Sequence, residues 1–324
     1  MTHAPFPVSV EELRPLVAQA VLAPSSHNTQ PWLWQLHEGA VTLFADRTRA
    51  LPVNDPDDRE LAISCGAALL NLRVAAAAAG LECEPTLLPD AHDADCLAHV
   101  AVQRVPRAAA GDAALAAAIA QRRTYRKRFA AQAPSPALVE ALARAAEHEG
   151  AWLQALAGEA QRHAAAALVA EGDAALWANP SWRRELAAWM HPRRRGDGIT
   201  LPALAWPLAQ AVVRSFDMGH GVGAKDRELA DASPLLVAIG TERDRERDWL
   251  LAGQALQRVL LLACREGWMA SYLNQPIQVA ALRPKLQEWV GHAGSVQLLL
   301  RLGQPLDTLA PTPRRALADV LEMA

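Results

Sequence analysis

The sequence predicts a mixed fold of helices and strands laid down twice within one chain, and three observations predict it. Two long helical patterns each follow an apolar strand, and Gly66 stands as far from Gly80 as Gly253 does from Gly267, with Ala68 and Leu69 falling on Ala255 and Leu256 in that register. Strand patterns recur around these helices, at residues 32–36, 41–45 and 97–105 in the first round and at 235–240 and 296–302 in the second. One stretch, Ala23-Pro24-Ser25-Ser26-His27-Asn28-Thr29-Gln30-Pro31-Trp32, has no full counterpart in the second round. There Glu149-Gly150-Ala151-Trp152-Leu153-Gln154 keeps only the tryptophan and one amide.

The first round opens on a capping box, Ser9-Val10-Glu11-Glu12, with Leu13, Leu16, Val17 and Ala20 following at helical spacing. Pro15 lies inside that pattern and is expected to bend the helix or delay its start. Pro24 and Pro31 fix φ at the two ends of the loop, which makes it stiff enough to aim its side chains. Ser25, Ser26, Asn28 and Gln30 each donate and accept hydrogen bonds, which suits the mixed polar edge of a heterocycle such as a flavin's pyrimidine ring. A hairpin around Glu38-Gly39 follows, then Asp57 and Asp58 as expected caps of a buried helix stopping at Gly80. A strand at 97–105 and a linker from Pro106 to Gly111 close a first repeat over residues 1–110.

The second repeat, residues 111–324, begins with a helix from about Asp112 that is expected to contain Arg122-Arg123-Thr124-Tyr125-Arg126-Lys127-Arg128. A Pro-Ser-Pro break precedes a helix from Pro136 to His148. Residues 170–232 show little pattern but carry Trp177, Trp182, Trp189, Trp206, the basic run Arg193-Arg194-Arg195 and Gly219-His220-Gly221-Val222-Gly223. Such a segment reads as a lid-like insertion hinged at its glycines. The glycine run is not a dinucleotide-binding fingerprint, since no strand precedes it. Asp248 is expected to start the second long helix, which stops at Gly267, and the last strand ends at Gly303.

Composition narrows the function. The chain has 324 residues, 51% of them apolar, and 32 basic against 35 acidic side chains. Their interspersion leaves no field for nucleic acid or an anionic membrane, so small-molecule partners are expected. Cys65, Cys83, Cys96 and Cys264 form no CxxC pair and read as reduced packing residues. His191 and His220 lack metal-ligand spacing, so no metal is expected. No signal peptide and no membrane-length apolar run are read, and a cytoplasmic protein is expected.

The segments Pro24 to Trp32, Arg122 to Arg126, Leu273-Asn274-Gln275-Pro276, Arg301-Leu302-Gly303 and Arg314-Arg315 together resemble the FMN-dependent nitroreductases, and their order resembles the twin-domain, Acg-like branch. The resemblance implies an α+β fold in which two pseudo-repeats form an internal dimer, so that a monomer or a homodimer would hold one FMN per chain. It implies that Ser25, Ser26 and Asn28 contact the isoalloxazine, with Pro24, His27, Gln30, Leu273, Asn274 and Gln275 also at the cofactor. Arg122 and Arg126, read as one helix face, would hold the phosphate or ribityl chain with Arg123 and Thr124. Arg314 or Arg315 would reach the phosphate from the C-terminal side. The implied activity passes electrons from NAD(P)H through FMN to an oxidised small molecule such as a nitroaromatic or quinone, with no side chain assigned a catalytic role. The alternative is a protein that sequesters FMN beneath residues 170–232; a helix-rich interaction protein without cofactor is the third reading.

Overall fold

The computed structural model describes residues 7–105, 110–192, 196–201 and 205–322. Helix α1 (Val10–Ala20) starts at the expected capping box: Ser9 Oγ accepts from the Glu12 backbone N–H, and the Glu12 carboxylate accepts from the Ser9 backbone. Pro15 sits inside it. Strands β1 (Trp32–His37) and β2 (Ala40–Ala45) form the expected hairpin, turning at Gly39 with φ of 73°. Helix α2 (Arg59–Ala78) follows and stops at Gly80, where φ is 76°. Its capping differs from expectation. Asp58 occupies the N-cap position, but its carboxylate is drawn to Arg47, and Asp55 Oδ2 instead accepts from the Leu61 N–H at 2.9 Å. Strands β3 (Leu81–Leu87) and β4 (Cys96–Arg104) complete the first half; β3 alternates buried or half-buried positions with exposed ones, with Glu82, Glu84 and Thr86 outward, and Pro85 within it obscures the strand in the sequence. Most of the Pro106 to Gly111 linker lies outside the described residues.

Beyond it come α3 (Ala110–Ala113), α4 (Ala116–Gln121), α5 (Pro136–His148) and β5 (Trp152–Ala155). Helix α4 ends at Gln121, so Arg122 to Arg128 are not helical as expected. Tyr125 explains the change. Its ring is 1% exposed and stacks on Phe129, its N–H donates to Ala270 O at 2.9 Å, and Thr124 bridges Ala270 in parallel, so the backbone must be extended there.

Residues 170–232 are largely helical rather than irregular. They comprise the end of α6 (Glu159–Ala178), α7 (Pro180–Ala188), β6 (Met190–Pro192), β7 (Ile199–Leu201), α8 (Trp206–Ser215) and α9 (Gly219–Asp231). The expected basic run Arg193 to Arg195 lies outside the described residues. The 219–223 run opens a helix, in which Gly219 and Gly223 serve close packing rather than hinging. A Cβ on Gly223 would lie 3.0 Å from Ala170 O, and one on Gly219 would lie 2.9 Å from Trp177 Cβ. The chain ends through β8 (Leu235–Thr241), α10 (Glu246–Arg265), β9 (Met269–Tyr272), α11 (Gln275–Gln278), α12 (Arg283–Val290), β10 (Ser295–Gly303) and β11 (Leu321–Glu322).

Helices α2 and α10 cross at the centre, backbone against backbone. A Cβ on Gly66 would fall 2.2 Å from Leu250 O, and one on Gly253 would fall 2.1 Å from Ile63 O. The two glycines that share a register in the sequence are therefore the contact itself. One sheet, ordered β11-β1-β2-β4-β3, packs on α1 and α2; the other, ordered β5-β8-β10-β9, packs on α5 and α10 on one face and on α6, α11 and α12 on the other. Burial on both faces is why β8 is apolar without alternation. The arrangement is α+β. Strand β11 pairs in parallel with β1, which carries the C-terminal segment back to the first-half sheet. Helix α2 is long and apolar enough to span a membrane, contrary to expectation, but 89% of the apolar window is buried inside the protein.

Candidate functional site

A cavity of about 970 Å³ opens where the first-half loop, the Arg122 segment, the end of β9 and residues 310–314 converge. The loop is held by its own backbone. Ser25 O accepts from Asn28 N at 3.0 Å, Ser26 O from Thr29 N at 2.9 Å, and Ser25 Oγ from Gln30 N at 2.9 Å. His27, Asn28 and Gln30 all have positive φ, near 50°, so this loop concentrates conformations that few side chains adopt. Ser26 Oγ donates to Glu60 Oε2 at 2.6 Å, tying the loop to the first turn of α2, and Gln278 Nε2 donates to Glu60 Oε1 at 2.8 Å from α11.

All the sequence-derived site residues line this cavity except Gln30 and Arg315. Pro24, Ser25, Ser26, His27 and Asn28 form one edge, and Leu273, Asn274 and Gln275 another. Gln30 is wholly buried behind the loop, where its side-chain amide donates to Gly196 O at 2.9 Å and accepts from Arg315 N at 2.9 Å. Arg315 also stands behind the wall, donating to Gln30 O at 3.0 Å, Asp46 Oδ2 at 3.1 Å and Asp319 O at 2.6 Å. Of the two arginines, Arg314 faces the cavity. Its guanidinium donates to Val21 O, Leu22 O and Ala23 O, closing the carbonyls at the end of α1, and to Asn28 Oδ1 at 3.3 Å. It buttresses the loop, and its donors face protein.

Arg122 is different. It is 7% exposed, its guanidinium has no protein partner among the described residues, and its Nε is buried and unpaired. Arg123 donates to Ala120 O at 2.7 Å and Arg122 O at 2.8 Å, which leaves its Nε unpaired, while Arg126 stands exposed at the mouth. Burial, then Arg122 and Arg123, push the Arg314 guanidinium down to about 9. Cations crowded at a buried wall without a carboxylate make a place for an anion. His27 adds a neutral imidazole: burial holds it down to about 4, and its Nδ1 has no partner. The Tyr272 hydroxyl and Gln275 Oε1 are likewise buried and unpaired around the same cavity.

The opposite wall comes from the tryptophan-bearing segment read as a lid-like insertion, together with two aspartates the sequence reading did not single out. Trp177 and Trp182 stack edge to face with centroids 5.5 Å apart, joined by Leu176, Leu186, Ile199 and Val222. Asp173 and Asp226 stand among them, bound to Gln275 Nε2. Asp173 offers one signal in the sequence, a carboxylate on the apolar stripe of α6 that runs through Val169 and Leu176.

A half-open pocket with arginines on one side and tryptophans on the other suits a flat anionic small molecule. No family model matches the chain. It is 35% identical over 331 residues to "Putative NAD(P)H nitroreductase Rv3131" of Mycobacterium tuberculosis, covering 99% of this chain and 93% of that protein. It is 30% identical over 323 residues to "Putative NAD(P)H nitroreductase acg" of the same organism, covering 98% and 97%. Among solved structures it is similar to NfnB from sphigopyxis sp. strain HMH, described as an FMN and NADPH-dependent nitroreductase, at 16% identity and a TM-score of 0.45 over 64% of this chain and 97% of that one. The chain belongs to the nitroreductase family and lies with its Acg-like members.

Proposed function

We propose that the protein is an FMN oxidoreductase that takes electrons from NAD(P)H and passes them to an oxidised small molecule such as a nitroaromatic or a quinone. The observation that carries this reading is Arg122, buried in the cavity wall without a counterion beside Arg123 and Arg314. A phosphate monoester is the anion that such a cluster recognises, with Arg126 closing over it from the mouth. The fit extends to the ring system. Ser25, Ser26 and Asn28 shape one edge, with Asn28 held by Gly198 O, Pro313 O and Arg314 and Ser26 by Glu60; the His27 Nδ1 and Tyr272 hydroxyl supply unpaired polar atoms, and the tryptophan wall covers an aromatic face.

Bound FMN supplies the two-electron chemistry; the chain binds it, orients it and excludes water. The α+β halves hold the loop and the arginines at fixed distance, and Glu60 fixes Ser26 to α2. Absorbance of the purified protein tests the reading: a flavin spectrum at one FMN per chain is expected, bleaching when NAD(P)H is added without air. A protein without flavin, or one whose arginines bind a different anion, would overturn it.

The second reading, a protein that sequesters FMN, has one observation in its favour: α6, α7, β7 and α9 all contribute to the cavity wall. We infer that residues 170–232 form its cover, and bound flavin that stays oxidised in excess NAD(P)H would favour sequestration.

A further inference from the structure

Three helices are brought to one point of the cavity by glycines, and each carries a polar side chain there. A Cβ on Gly172 of α6 would lie 2.8 Å from Gln275 Cβ, and one on Gly223 of α9 would lie 3.3 Å from Asp173 Cβ. With those approaches, the Gln275 side-chain nitrogen donates to Asp226 Oδ2 at 3.0 Å and stands 3.3 Å and 3.4 Å from the two oxygens of Asp173. Both carboxyls line the cavity, and Asp173 is 3% exposed. The same cavity holds the unpartnered Arg122, 7% exposed, which marks it as a ligand site independently of the acids.

We propose that Asp173 and Asp226, clamped on the two sides of the Gln275 amide nitrogen, share one proton and deliver it to the acceptor reduced in the cavity. One amide nitrogen has two N–H groups, so it satisfies one oxygen of each carboxyl and cannot neutralise two negative charges. Two carboxyls held on one amide nitrogen, Asp173 buried and Asp226 half-buried, repel when both are ionised, which favours one proton on the pair. The charged groups facing the pair are Arg301 from β10, Arg126 from the cavity mouth and Lys225 on α9, all of which favour the ionised form of Asp226. Burial outweighs them: it pushes Asp226 up, and burial together with Asp226 pushes Asp173 up to about 7.

The assignment rests on the oxidoreductase reading. Bound FMN would supply the quinone with a hydride equivalent, two electrons and one proton, drawn from NAD(P)H. The reduction then lacks one proton: the O–H bond of the carboxylic acid breaks, an O–H bond forms on the quinone oxygen that carries the new charge, and the carboxylate regains its proton from water. NAD(P)H is oxidised and the quinone becomes the hydroquinone, with no other reactant.

Two measurements test this on the wild type, Asp173→Asn and Asp226→Asn. Infrared difference spectra of the purified protein are expected to show a carboxylic acid band that titrates near neutral pH and disappears in each variant; the band of Asp55, whose carboxyl is also pushed up to about 7, remains. Stopped-flow reoxidation of the NAD(P)H-reduced protein by 1,4-benzoquinone is expected to slow about 100-fold in both variants and to lose its pH dependence. The fall should exceed any fall in the rate of reduction by NAD(P)H. Variants that retain the wild-type band, or that match its reoxidation rate and pH profile, would overturn the proposal. If the wild type carries no flavin, the oxidoreductase reading fails while the infrared bands still decide whether a proton is shared. Should one variant fail to fold, the other decides.

Discussion

At the floor of the cavity α2 and α10 meet through Gly66 and Gly253; in its wall α6 and α9 meet through Gly219 and Gly223. The same device, a residue without a side chain at the crossing, serves both places, but the surroundings differ. Almost every residue of α2 is buried, and its neighbours are α10, α1 and the apolar face of the first-half sheet. The wall is fastened to the first half by hydrogen bonds instead. Trp182 Nε1 donates to Asn54 Oδ1 at 2.8 Å, the Glu185 carboxylate accepts from Val53 N and Asn54 N, and Gly198 N donates to Asn28 O at 3.1 Å. Separating the floor would expose apolar surface to water, whereas separating the wall exchanges hydrogen bonds whose net worth is about 1 kcal/mol each. One crossing defines the fold and the other can yield within it.

The sharpest way to break this comparison is to put a side chain at the floor. Gly66→Val would drive a branched carbon into Leu250 O and should destabilise the protein by about 3 kcal/mol or more, read as a lowered urea midpoint. A midpoint equal to the wild type would show that the helices slide apart freely. Next in size is the cationic side of the cavity. Arg122→Ala with Arg126→Ala should weaken FMN retention by roughly 1.5–3 kcal/mol for each charge-assisted hydrogen bond to the phosphate that is removed, measured by flavin released on dilution. Undiminished occupancy would move the phosphate elsewhere.

The floor is legible in the sequence down to its glycines, whereas the wall shows only as a tryptophan-bearing segment whose helices are hidden, for a physical reason. Gly66, Gly80, Gly253 and Gly267 stand out because buried helices of equal length need small residues at a crossing and a left-handed stop at the end. The loop is legible too, since prolines bracket it. Helices α6 to α9 escape notice because the groups of the first half that fasten them are polar atoms far away in sequence. The same distance hides Gln30 and Arg315, which look like site residues but spend their donors behind the wall. A helical spacing points Arg122 and Arg126 at the cavity for the wrong reason; an extended backbone brings them there instead.

Loosening the wall is a smaller perturbation. Glu185→Ala removes the acceptor of two backbone N–H groups and should cost about 1–3 kcal/mol locally. Amide exchange is expected to quicken in α7 and α9 and stay slow in α2; uniform quickening would mean that floor and wall open as one. A separate effect is expected in pH dependence. His27, held down to about 4, stays neutral when folded, so stability falls as pH drops from about 6.5 towards 4. Asp55 and Asp173, pushed up to about 7, act in the opposite sense over much of that range, because the folded protein keeps their protons and loses that advantage as pH rises. His27→Asn, which tolerates positive φ, should therefore remove the acid-side loss and leave the alkaline one, seen as melting temperature against pH. An unchanged profile would place the imidazole in water.

Arg314 reaches Asn28 across 286 positions of sequence, and β11 joins β1 from the same end. Pairings of that separation carry a large loop-closure entropy and form late, so the chain has a high contact order at the very place where the cofactor loop needs support. On the ribosome the first-half sheet would emerge with its outer edge bare and the loop unbraced until the last strand arrives. A nascent chain would build its core early yet acquire a finished pocket only at the close of synthesis, which makes cofactor loading a post-translational event and leaves β1 exposed as an edge strand for the whole interval.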